Sequence, residues 1–117
     1  MRMSGLRAGA DIVMTPVAVE GIVSAAEDGL RSLWILGERV DDDSGTYYRV
    51  TGAGDARIGL AAVPEDGGTE PDDGILSIFS ESFSDGVLMV VDPYAGEFAL
   101  YVSEDGELRH ASAVMSE

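Results

Sequence analysis

A chain of 117 residues with 22 acids, 7 bases and no cysteine can build one hydrophobic core, but no disulfide and no thiolate site. Its formal charge of −15 repels nucleic acid, membrane phosphates and acidic substrates, and attracts basic protein surfaces over roughly a Debye length of 8 Å at physiological salt. No apolar run approaches the roughly 20 residues a membrane span needs, and Asp11 interrupts the only candidate for a signal-peptide core, so a cytoplasmic protein is expected.

Taken in order, residues 1–14 read as a disordered N-terminal extension, 15–111 as a single domain and 112–117 as a loose tail. Thr15 and Pro16 make a helix start, with threonine as N-cap and proline at the first helical position. Val19, Ile22, Val23, Ala26, Leu30, Leu33 and Trp34 then recur at spacings of three and four, which predicts an amphipathic helix from about Pro16 to Leu36, ended by Gly37. A β-hairpin turning at Glu27-Asp28-Gly29 competes with it, because Gly21 and Gly29 each cost a helix interior about 1 kcal/mol.

Beyond Gly37 the pattern is β. Asp41 to Gly45 reads as a polar turn, Thr46–Thr51 alternates, and Gly52-Ala53-Gly54-Asp55 closes a hairpin onto Ala56–Val63. That glycine-rich turn opens like a dinucleotide motif but lacks its third glycine and its helix. Pro64–Gly74 carries five acids, three glycines and two prolines, the composition of an exposed mobile loop. Ile75–Ser80 reads as a strand. Val87–Val91, apolar without alternation, reads as a central strand covered on both faces. Asp92 to Gly96 turns the chain, Glu97–Ser103 alternates with a period of two, and Glu104-Asp105-Gly106 signals a hairpin onto Glu107–Ala111. The expected fold is therefore α+β: one amphipathic N-terminal helix packed on an antiparallel meander sheet of about five to six strands, with an all-β small barrel or sandwich as the alternative.

Chemistry-bearing patterns are sparse. Asp41 to Asp43 and the pair Asp72-Asp73 lack the spacing of a calcium loop. His110, the only histidine, is accompanied by no Gly-x-Ser-x-Gly elbow. Neither cofactor nor metal is expected, and no enzyme. Of the aromatic residues, Tyr94 and Phe83 fall in turns and are the candidates for exposure.

What the charge distribution favours is a binding protein. All seven bases are arginine, and none lies between Arg57 and Arg109. The expected partner-binding carboxylates are Glu65, Asp66, Glu70, Asp72, Asp73, Asp85, Asp92, Glu104, Asp105 and Glu107. Alternate residues on a strand lie about 6.6 Å apart, close to the phosphate spacing along one strand of nucleic acid, so such carboxylates could occupy the basic groove of a nucleic-acid-binding protein. The expected function is that of an acidic inhibitor, an immunity protein or a phage-encoded inhibitor, with a basic protein as partner and no direct contact with nucleic acid or membrane. The alternative is a structural or assembly module, of a virion or a larger complex, whose acidity reflects solubility or a high-salt environment.

Overall fold

A strand precedes the first helix. The computed structural model describes residues 10–43, 45–52 and 56–115, and its elements are β1 (Ile12–Met14), α1 (Pro16–Glu27), β2 (Ser32–Asp42), β3 (Gly45–Val50), β4 (Arg57–Ala62), α2 (Asp73–Ser82), β5 (Gly86–Asp92), β6 (Glu97–Glu104), β7 (Glu107–His110) and β8 (Ala113–Met115). The strands form one curled half-barrel sheet in the order β7-β6-β5-β4-β2-β3-β1-β8. This overturns the expected single helix on a five- or six-stranded antiparallel meander. Among the described residues the sheet has eight strands, is mixed, and carries two short helices; the all-β alternative resembles it more closely.

Thr15 caps α1, its hydroxyl accepting from the Ala18 amide at 3.2 Å, and Pro16 follows at the first helical position. The helix ends nine residues earlier than expected. Gly29 takes φ +101°, its amide donates to the Ala26 carbonyl and that of Leu30 to Ala25, the paired bonds of a Schellman cap. Leu33 and Trp34 continued the helical spacing by coincidence, since they belong to β2.

β2 explains the curl. Its first half, Ser32–Leu36, pairs antiparallel with β4, and its second half, Gly37–Asp42, pairs antiparallel with β3, with the register shifting between Ile35 and Leu36. A strand that changes partner halfway bends the sheet around itself. Gly37 sits at the changeover, where a Cβ would overlap the Arg49 carbonyl oxygen.

A second correction concerns Ile75–Ser80, expected as a strand and found inside α2. Asp72 is its N-cap, accepting from the Ile75 amide at 2.9 Å, and Ile75 and Phe79, one turn apart, are its buried face. As a helical crossover, α2 lets β4 and β5 pair in parallel. β1 is also parallel to both its neighbours, β3 and β8.

Both faces of β5 are covered. Val87, Met89 and Val91 join alternate residues of the other strands and Ala18, Ile22 and Ala26 of α1 in the inner core. Leu88 and Val90 face outward to Leu60, Tyr101 and the Ile75 and Phe79 of α2. This two-sided burial is why the run from Val87 to Val91 lacks alternation.

Both domain limits drawn from the sequence are corrected by pairing. Residues 12–14, assigned to the extension, are β1 inside the sheet, with Ile12 fully buried. Residues 113–115, assigned to the tail, are β8, paired with β1. Only Ala111 and Ser112 separate β7 from β8 at opposite edges of the sheet, so this short segment spans the opening of the half-barrel. Residues 1–9 and 116–117, with the rest of those two assignments, lie outside the described residues. So do Ser44 and Ala53 to Asp55, which hold parts of the two expected turns.

Candidate functional site

The ten carboxylates singled out in the sequence do not share one surface. Asp92 and Asp85 flank opposite ends of β5, whose seven residues span about 20 Å. Glu65, Asp66, Glu70, Asp72 and Asp73 lie toward the Asp92 end, because the loop after β4 is bonded to that turn. Glu104, Asp105 and Glu107 lie at the Asp85 end, where β6 turns into β7.

At the first pole, two of the acids hold the chain together. The Asp92 carboxylate accepts from the amides of Tyr94 at 3.1 Å, Ala95 at 3.2 Å and, across the loop, Gly68 at 3.0 Å. The Asp72 carboxylate accepts from Ile75 and, at 3.3 Å, from Glu65. These backbone N–H groups hold both carboxyls below the usual carboxylate range. They also give the segment 64–74, expected to be a mobile loop, fixed ties: Tyr101 adds another by donating its hydroxyl to the Thr69 carbonyl at 2.9 Å. Asp73 and Gly74 already belong to α2. Glu65, Asp66, Glu70 and Asp73 are exposed, and no ion pair recorded among the described residues involves them. At the same end of β5, Tyr94 is 95 % exposed in the β5–β6 turn, whereas Phe83 is half-buried against Phe79 and Trp34.

At the opposite pole the half-barrel is open. A cleft of about 370 Å³ is lined by Asp11, Arg39, Thr46, Tyr48, Asp85, Val102, Glu104 and Asp105. Its rim is the two-residue turn Asp105-Gly106, with φ of +53° and +85°, a turn whose positive φ values match the twist of the hairpin. The Asp105 amide donates to Asp85 at 3.0 Å and that of Gly106 to the Ser84 carbonyl at 2.9 Å, which anchors the turn. Behind the rim, Arg109 grips both oxygens of Asp11 at 2.9 Å and Glu104 at 2.8 Å. This fork ties β7 to the start of β1 across the opening. Glu104 is thereby partly neutralised, and the Arg109 guanidinium holds the Asp11 carboxyl below its ordinary value.

His110 lies exposed on the edge strand β7, its ring 4.6 Å from that of Tyr101. Among the described residues no group of three or more His, Cys, Asp or Glu is placed to hold a metal ion, and no helix is long and apolar enough to cross a membrane.

Asp11, Asp72 and Asp92 have depressed carboxyls for stated reasons, so their contribution to stability has a definite sign. Each binds its proton less readily folded than unfolded, where the value is about 3.9. Their stabilisation is complete above the unfolded value and is lost as the pH falls toward the folded ones. The denaturation midpoint should therefore hold steady from about pH 7 to 5 and drop below about pH 4. Arg109→Met should flatten part of that drop, as measured by urea titration at each pH. Tyr48, Arg39 and Asp11 carry no sequence signal as members of a cleft, because only the β1–β3 pairing and the sheet's curl bring them to the β6–β7 turn.

Compared with known proteins, the chain matches no family model, no curated protein and no solved structure.

Proposed function

We propose that this chain is a non-enzymatic inhibitor, of the immunity-protein or phage-encoded kind, that binds a basic, nucleic-acid-binding surface of a target protein by charge mimicry. The observation that carries this reading is Tyr94, 95 % exposed at the same end of β5 as Glu65, Asp66, Glu70 and Asp73, exposed carboxylates that form no ion pair among the described residues. An exposed tyrosine on a turn fixed by Asp92 is an amphipathic anchor presented at little entropic cost. The acids around it would steer association with arginine- and lysine-rich surfaces, an effect that weakens with salt.

The test separates acids that could bind from acids that hold the fold. Glu65→Gln, Asp66→Asn, Glu70→Gln and Asp73→Asn together should leave the unfolding midpoint nearly unchanged. They should weaken binding to the captured partner by at least about tenfold, or about 1.4 kcal/mol. Unaltered affinity would remove this pole from the mechanism. Asp72 and Asp92 are left intact because their carboxylates satisfy backbone amides.

A second reading, an assembly module, is favoured by a different feature. An apolar groove of about 370 Å³ runs between α1 and β2, with Val17, Leu33, Trp34, Leu36 and Val50 among its lining. Val17 is 77 % exposed, and Ser32–Ile35 has no strand on the side away from β4 among the described residues. A free sheet edge beside an apolar groove suits strand addition by a second chain. Self-association that survives raised salt would favour this reading over the first.

A further inference from the structure

The groove between α1 and β2 has a polar side as well as an apolar one. The Val63 amide donates to the Arg31 carbonyl at 2.9 Å, so Arg31, Leu33 and Ile35 direct their backbone bonds to β4. Ser32 and Trp34, between them, turn their N–H and C=O groups the other way, where neither ladder nor loop supplies a partner among the described residues. These groups face the line that β3 occupies further along: β3 leaves β2 at Val50, and the Thr51 and Gly52 amides then close on the Leu36 carbonyl at 3.2 Å. The opening is therefore about four residues long, roughly 13 Å. Helix α1 forms its other wall, where Val17 is exposed and a Cβ on Gly21 would meet nothing within 4 Å.

The two faces of the groove differ in chemistry. Toward the inner core the lining is Ala18, Ile22, Leu33 and Ile35. Toward the outside it is Trp34, 37 % exposed, with the Arg57 guanidinium 4.9 Å over its ring. None of the lining residues carries a charge, in a chain with 22 acids. Arg57, unlike Arg39, Arg49 and Arg109, forms no ion pair among the described residues. At physiological salt the overall negative field is screened within about 8 Å, so the nearest charge decides what the groove attracts.

We propose that this groove binds an extended segment of a second, different protein, about four to five residues long, whose alternate side chains are apolar and acidic. The segment adds a strand to β2. Its acidic residues lie opposite Ser32 and Trp34, exchange main-chain bonds with them and turn their carboxylates toward Arg57, while its apolar side chains face α1. This rests on the assembly reading of the same groove and adds the chemistry of the partner.

The probe is the blocked pentapeptide Val-Glu-Val-Glu-Val, titrated into the full chain at about 0.15 M salt. Trp34 is the only tryptophan, so its fluorescence reads the groove directly, and amide shifts of the ¹⁵N-labelled chain locate the contact. Saturable changes are expected at Gly21, Ser32 and Trp34, with a dissociation constant of about 1 mM or tighter. Glutamine in place of both glutamates should weaken binding roughly two- to fivefold, the worth of an exposed ion pair, and lysine should weaken it further. Methylation of the two glutamate amides, which removes the main-chain donors, should abolish saturation. Arg57→Gln should bring the glutamate and glutamine peptides to equal affinity. Gly21→Leu places a side chain in the groove and removes a helix glycine, so it should keep or raise the unfolding midpoint and weaken binding by at least about tenfold. Equal binding of the glutamate, glutamine and lysine peptides to the unaltered chain would overturn the acidic pattern of the partner. No saturable change, or binding that Gly21→Leu leaves intact, would overturn the groove assignment. Sedimentation of the unliganded chain separates this inference from the assembly reading beneath it. Self-association lost in Gly21→Leu, without peptide binding, would give the groove to a second copy and overturn the inference alone; neither self-association nor peptide binding would remove both.

Discussion

Gly59→Ala is expected to destabilise the protein by about 3 kcal/mol, the upper part of the range for overpacking a closed site. Gly59 lies on β4 directly opposite Val87 of the parallel strand β5, and a Cβ there would overlap the Val87 carbonyl oxygen and crowd its backbone. The obstacle is main chain on a buried strand, so relief requires the two central strands to separate rather than a side chain to rotate. For a domain of this length the loss corresponds to a fall in the thermal midpoint on the order of 12 °C. The same substitution at Gly21, on the exposed side of α1, meets nothing within 4 Å. There alanine should raise the midpoint, by the helix propensity difference of about 1 kcal/mol. Opposite signs for two Gly→Ala changes, read by thermal unfolding, would establish that Gly59 is a close-approach glycine. Equal effects would contradict the β4–β5 register.

The other large effect belongs to Met89. It is fully buried at the centre of β5, opposite Leu100 of β6 and Ala61 of β4, and belongs to the inner core with α1. Met89→Ala should cost about 2–5 kcal/mol, the transfer of the lost atoms plus the cavity they leave. Leu76→Ala on α2, where the side chain is 37 % exposed, should cost much less. Urea denaturation distinguishes a cavity from a loosened native state, since the former shifts the midpoint at constant slope. A small loss at Met89 would mean that α1 does not close the inner face of the sheet.

How much of this was legible in the sequence depends on whether the deciding contact was local. The start of α1 was legible because Thr15 and Pro16 act on amides within one turn. Its end was not, since Leu30, Leu33 and Trp34 keep a helical spacing while Gly29 already terminates the helix with φ +101°. The Asp105-Gly106 turn was legible for the same local reason as the helix start. Helix α2 was misread although its signal was present: Asp72 precedes Ile75, Ile78 and Phe79 at spacings of three and four. The acids and glycines around it outweighed a ten-residue periodicity.

Parallel pairing of β1, β4 and β5 has no local signature, because it joins segments tens of residues apart. The acidic character of the candidate surface was plain, but its division of labour was not. Asp72 and Asp92 differ from Glu65 and Asp66 only in which backbone amides come within reach once the loop has folded against the β5–β6 turn. The ten carboxylates also had to be placed on the two ends of β5 before they could be seen as two groups.

The most direct test of the proposed function is capture of a partner by the tagged full chain from a lysate of its source organism, at about 0.15 M and about 0.5 M salt, a range over which screening of surface charge tightens markedly. One stoichiometric partner with a basic nucleic-acid-binding surface is expected, held at the lower salt and released at the higher. Capture should fail at both salts when Glu65, Asp66, Glu70 and Asp73 are neutralised and Tyr94 is replaced by serine. A partner retained equally by this variant, or self-association alone that persists at high salt, would contradict it and leave the acidic surface without a binding role.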